Sequence, residues 1–149
     1  MPRRLRLSAL LKSAGLKAVA GDAGLSGIGL DSRAVGRGWI FCALPSASGQ
    51  HADAFAHVRQ ALAKGVAAVL ASPSLLKAVG PLGQAIAVPS ADPRRDAAQL
   101  AAAFELHPMR RLRLSGITGT NGKTSVACPL HSLLTGAGSG PCALNGTVG

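Results

Sequence analysis

Apolar positions along the chain follow two spacings. Unbroken runs of strand length occur at 39–44 (WIFCAL), 66–71 (VAAVLA) and 84–89 (QAIAVP). Runs of this kind predict strands covered on both faces. Between them the spacing is helical. Ala54, Phe55, Val58, Ala61 and Leu62 share one face of a helix predicted over 54–64, with Asp53 as its cap and Gly65 as its stop. A short helix is expected at 73–79, opened by Pro73 and closed by Gly80. A longer one is expected at 93–106, capped by Asp92 with Pro93 in its first position. Nearer the N-terminus, residues 8–14 suggest a short helix and 21–29 a glycine-rich loop. IGLDSR (28–33) reads as a strand running into a turn, and PSASGQ (45–50) as a loop by composition.

Buried strands alternating with helices indicate an α/β domain. HPMRR (107–111) interrupts the alternation and reads as a linker, so a boundary is placed near 108, giving segments 1–108 and 109–149. After it comes an expected strand, LRLSGIT (112–118), then a glycine-rich turn and another helix. The chain shows no internal repeat and no long low-complexity segment.

The turn carries the clearest chemistry. GITGTNGKTS (116–125) stands between the expected strand and helix, the context of a phosphate loop. Glycines let the backbone aim its amides inward, and a helix N-terminus favours an anion. Lys123 would reach the β- and γ-phosphates, and the Thr124 hydroxyl would take a place on Mg²⁺. The strict GxxxxGK[ST] pattern is missed, because Ile117 stands where it requires glycine and the glycines fall at 116, 119 and 122. The plain alternative is a glycine-rich turn followed by a chance Lys-Thr.

Composition narrows the partners. Sixteen Lys and Arg against six Asp and Glu give a net charge of +10. Such a balance suits phosphates, acidic lipid or nucleic acid. The cations cluster at Arg3, Arg4 and Arg6, at Arg94 and Arg95, and at Arg110, Arg111 and Arg113, with no interleaved aromatics to stack bases. They read as solvated or interdomain faces, and nucleic-acid binding is not expected. Trp39, Phe41, Phe55 and Phe104 are the only aromatic residues, so an aliphatic core is expected. Cys42, Cys128 and Cys142 show no CxxC spacing, which argues against a disulfide framework or zinc site and fits a reducing compartment. Cys42, in an expected strand core, is expected to be inert. Lys12 and Lys17 break the apolar stretch of a would-be signal peptide, and the uncharged tail after Lys123 is punctuated by Gly136, Gly138, Gly140 and Pro141. A cytoplasmic protein without membrane contact is expected.

GITGTNGKTS resembles the ATP loop of the Mur ligases, the ATP-dependent amide-forming enzymes of peptidoglycan synthesis; folylpolyglutamate synthases carry a similar loop. LDSRAVGRGWIFCALPSASGQHADAF (30–55) is similar to the uridine-nucleotide-binding domain of the MurE and MurF branches, and ALAKGVAAVLAS (61–72) to the helix and strand that follow it. TGTNGKT with NGTVG (145–149) favours the MurE type. The resemblance implies a small N-terminal α/β domain followed by the first strand, phosphate loop and helix of an incomplete central ATPase-like domain.

It also implies a function. Members of this type use ATP to activate a carboxylate of UDP-MurNAc-L-Ala-D-Glu, then join it to meso-diaminopimelate or lysine. The expected partner is therefore the UDP-MurNAc-dipeptide, the expected cofactors are ATP and Mg²⁺, and a monomer is expected. Gly119, Thr120, Asn121, Gly122, Lys123, Thr124 and Ser125 map onto the ATP loop, with Thr124 toward Mg²⁺. Asn121 could equally shape the turn. Leu30 and Ser32 match positions that contact the uridine nucleotide, against the alternatives of core packing for Leu30 and a turn hydroxyl for Ser32. Asp31 and Arg33 read as a local ion pair. Ala47, Ser48 and Gly49 align with a second substrate-contacting stretch, although Ser46 replaces a usual glycine and the following run is blurred to GQHAD; His51 reads as a polar loop residue.

Two features depart from a working ligase. Complete members continue well beyond position 149, carrying an acidic Mg²⁺ ligand, a carbamylated lysine and an amino-acid-binding domain. No catalytic residue of the family can therefore be placed. Pro129 also falls inside the helix after the loop, where it removes a backbone bond and clashes with the Ser125 carbonyl at a cost of about 3 kcal/mol. The expectation is a fragment inactive by itself. The competing readings are a non-catalytic UDP-sugar-binding module and a basic phosphate or nucleic-acid binder.

Overall fold

The computed structural model describes residues 5–45, 51–138 and 140–146, without the side chains of 51–53. The chain divides into two units, Met1–Arg111 and Leu112–Gly149.

The first unit runs β1 (Leu5–Arg6), α1 (Leu7–Ser13), β2 (Gly24–Leu25), β3 (Gly27–Gly29), β4 (Trp39–Cys42), α2 (His51–Ala63), β5 (Ala68–Ala71), α3 (Pro73–Val79), β6 (Ile86–Pro89) and α4 (Pro93–Phe104). Strands β3, β4, β5 and β6 form a parallel sheet in chain order, with Ile28, Ile40, Ala68 and Ile86 in one row of the register. β1 and β2 form a separate antiparallel pair, Leu5 opposite Leu25.

Parallel strands need crossovers, and here the crossovers and flanking helices cover both faces. Ile40, Cys42, Ala68, Leu70 and Val88 pack with the buried faces of α1 and α4. Phe41, Ala43, Val69 and Ala71 pack on the other side with α2 and α3. This two-sided burial is why 39–42 and 68–71 read as unbroken apolar runs. Burial pushes the Cys42 thiol up to about 12, which leaves it protonated and unreactive.

Local chemistry fixes the helix ends. Asp92 accepts from the Arg95 amide at 3.2 Å, capping α4 as expected, with Pro93 in the first turn. Ser72, unremarked in the sequence, caps α3 through the Leu75 amide at 3.3 Å. α2 begins at His51, so Asp53 lies inside the helix and His51 is not a loop residue. No breaker separates 51 from 54. The indole of Trp39 lies across β3 because Gly27 and Gly29 leave room: a Cβ on Gly27 would sit 2.4 Å from the ring.

Leu106 and His107 both have left-handed φ, 63° and 53°, and lead into a 3-10 turn at Pro108–Arg110. The second unit then differs from expectation. Residues 112–118 form no strand. A strand exists only as half of a hydrogen-bonded pair, and no described segment of this unit pairs with them. The helix that follows, α5 (Lys123–Gly136), runs through Pro129 and has no buried residue. His131 Nε2 donates to the Cys142 carbonyl at 3.2 Å, holding the tail against α5.

Candidate functional site

Two places carry the residues singled out by sequence. In the second unit, Gly119 has φ 155° and Gly122 has φ 76° as the residue before α5. Both values disfavour side chains, so the glycines at these two positions are what allow the loop to double back into the helix. No side chain caps α5. Its first amides are therefore not occupied by a capping oxygen, as an anion-binding N-terminus requires. Lys123 Nζ donates to the Gly119 carbonyl at 2.7 Å and to the Thr120 carbonyl at 3.3 Å, which draws the ammonium across the loop. Gly119 through Ser125 are all exposed. The residues present suit a polyphosphate: free amides, one cation held over the loop, and the Thr124 hydroxyl one residue into the helix. Among the described residues there is no group of three His, Cys, Asp or Glu able to hold a metal by itself.

In the first unit an open cleft of about 550 Å³ lies along β3, between Trp39 and α4, and is lined by Ile28, Leu30, Asp31, Trp39, Leu44 and Arg94 among others. Leu30 is 58% exposed, so it is not a core residue. Ser32 is 2% exposed. Its hydroxyl donates to Gln60 Oε1 at 2.6 Å and lies 3.1 Å from His57 Nδ1. With its single proton given to Gln60, Ser32 accepts from an Nδ1–H of His57. Three side chains thus tie the 30–33 turn to α2. Sequence placed Leu30 and Ser32 together; the structure turns one outward and the other inward.

Asp31 and Arg33 form the expected pair. Arg33 Nη2 lies 2.9 Å from Asp31 Oδ2, and the Arg33 amide donates to Oδ1 at 2.8 Å. Hydrogen bonds from the Arg33 side chain, then from its amide, hold the Asp31 carboxyl down at about 2. Asp22 likewise lies below the usual carboxylate range, chiefly through the Ser8 amide and also through Ser8 Oγ and Arg6. Ala47, Ser48 and Gly49 lie outside the described residues. Arg94 and Trp39 were not marked as site residues by sequence. Only the long-range assembly of β3, β4 and α4 brings them to Leu30.

No protein-family model matches the chain. A UDP-N-acetylmuramoyl-L-alanyl-D-glutamate–2,6-diaminopimelate ligase of Parasynechococcus marenigrum (strain WH8102) is 40% identical over 145 residues, covering 95% of this chain and 28% of that protein. A UDP-N-acetylmuramyl-tripeptide synthetase of Roseiflexus sp. (strain RS-1) is 42% identical over 124 residues, covering 83% of this chain and 23% of that protein. A solved UDP-N-acetylmuramoyl-L-alanyl-D-glutamate–2,6-diaminopimelate ligase superposes with a TM-score of 0.66 at 25% identity, covering 95% of this chain and 28% of that one. The chain's homologues are Mur ligases. They are of the MurE type, the UDP-N-acetylmuramoyl-tripeptide synthetases, and the chain fits their N-terminal portion while spanning about a quarter of their length. No described helix is long and apolar enough to cross a membrane.

Proposed function

We propose that this chain supplies the uridine-nucleotide-binding domain and the ATP loop of a ligase that extends UDP-MurNAc-L-Ala-D-Glu by a diamino acid. Residues 1–108 take the UDP-sugar, and 109–149 open the ATP-binding domain. The observation that carries this reading is the identity of 40% across 95% of the chain to a protein named for that ligation.

Within this reading each residue has a task. Leu30 offers apolar surface to the nucleoside at the β3 cleft. Ser32, buried and engaged with Gln60 and His57, holds the turn that presents it. Ala47, Ser48 and Gly49 are further contacts to the substrate. The amides of Gly119, Thr120, Asn121 and Gly122, with those of Lys123, Thr124 and Ser125 at the start of α5, surround the ATP phosphates. Lys123 neutralises their charge and Thr124 contributes its hydroxyl to Mg²⁺. Bound ATP with Mg²⁺ supplies the phosphoryl group that activates a substrate carboxylate.

Titration calorimetry of the whole chain tests the two halves separately. Saturable binding of UDP-MurNAc-dipeptide is expected, with no loss in Lys123→Ala, whereas ATP-Mg²⁺ binding is expected to depend on Lys123. Absence of any saturable uridine-nucleotide binding at millimolar concentration would sink the assignment of residues 1–108.

A further inference from the structure

We infer that Arg94 makes the β3 cleft selective for phosphorylated over neutral nucleosides, an assignment that rests on the reading of this unit as a uridine-nucleotide site. The cleft is walled mainly by Ile28, Leu30, Trp39, Leu44 and the alanines of α4, and among the described residues two charged ones, Asp31 and Arg94, line it. Their charges are not equivalent. Asp31 is matched by the chelating Arg33. Arg94 takes part in no ion pair among the described residues, where the pairs are Arg6–Asp22 and Arg33–Asp31.

The acids beside Arg94 in sequence are engaged elsewhere. Asp92 accepts from the Arg95 amide, and Asp96 accepts from Ser90 Oγ at 2.6 Å. Arg94 is instead held by a neutral group: its Nη2 donates to the Pro45 carbonyl at 2.9 Å. A guanidinium has several N–H donors in a fixed plane, so one bond to a carbonyl orients the fork and leaves the rest of it available. An oriented cation with no ion-pair partner among the described residues, set beside an apolar wall, suits a ligand with a flat, weakly polar part and an anionic part. A nucleoside diphosphate is such a ligand: its base and sugar lie along Leu30 and Trp39, and its phosphates meet Arg94 through charge-assisted hydrogen bonds.

The test compares UDP with uridine by calorimetry, on the whole chain and on Arg94→Ala, Arg94→Gln and Arg94→Lys, with a thermal melt of each. Gln keeps a donor for the Pro45 carbonyl but removes the charge, so it separates diphosphate binding from support of the backbone. Arg94→Gln and Arg94→Ala should weaken UDP about tenfold or more and leave uridine within about twofold; Arg94→Lys should fall between them and the parent. Equal weakening of UDP and uridine would overturn the inference, as would unchanged UDP binding in Arg94→Gln, and either result would leave the uridine-nucleotide site standing. A parent chain that takes up neither UDP nor uridine would remove that site and the inference together.

Discussion

Leu100 and Leu133 occupy helices of similar length in the two units, yet one is 0% exposed and the other 70%. The contrast holds throughout. The buried apolar residues run from Leu7 to Ala103, whereas Leu112, Leu114, Val126, Leu133, Leu134 and Leu144 are all exposed. Both units have apolar residues at suitable spacing. Among the described residues, only the first unit has a sheet with helices on each face to receive them. A helix of this length with an internal proline is marginal without tertiary burial. The loop at 119–125 thus rests on local backbone geometry, while the β3 cleft rests on a core.

The largest expected effect breaks this contrast directly. Leu100→Ala should cost about 2–5 kcal/mol in urea unfolding of the first unit, while Leu133→Ala should stay within about 0.5 kcal/mol. Equal effects would mean that the units share one core. A smaller effect is expected at glycines. Gly27→Ala drives a methyl into the Trp39 indole and should cost about 1–3 kcal/mol, with a shift in the fluorescence of the sole tryptophan. Gly116→Ala, with nothing within 4 Å of the added carbon, should be silent in the same melt.

The smallest effect is in acid. Asp31 has a folded-state value of about 2 against an ordinary 3.8. A depressed carboxylate stabilises above its unfolded value, and this stabilisation is lost as pH falls through the folded one. The loss therefore belongs between about pH 4 and pH 2, is weakened by salt because the pair is exposed, and should shrink in Arg33→Ala, which removes the side-chain bonds and keeps the amide donor at that position. Carboxyl NMR of Asp31 reads it. The segment 112–149 contains no Asp or Glu, so no side-chain carboxylate of that segment titrates in that window.

Much of the first unit was legible because its signals are local or periodic. The runs at 39–42 and 68–71, the Asp92 cap and Pro93 each announce an element within a few residues. The β1–β2 pair was not legible. Two residues carry no period, and Leu5 finds Leu25 only after α1 has turned the chain. The segment 112–118 failed for the complementary reason: its composition suits a strand, but pairing is supplied by a neighbour. Of the candidate sites, the loop at 119–125 could be read from its own glycines. The cleft could not, because Arg94 reads as one more surface cation until the Pro45 carbonyl shows where it is held.

In the main sheet, each strand lies beside the one made just before it. A chain emerging from the ribosome can therefore dock Trp39–Cys42 on Gly27–Gly29, then add Ala68–Ala71 and Ile86–Pro89 in turn, with no strand waiting for a later partner to be inserted beside it. Each newly exposed edge is the template for the next addition, and among the described residues the last strand is β6, whose Pro89 has no amide hydrogen to give a further strand.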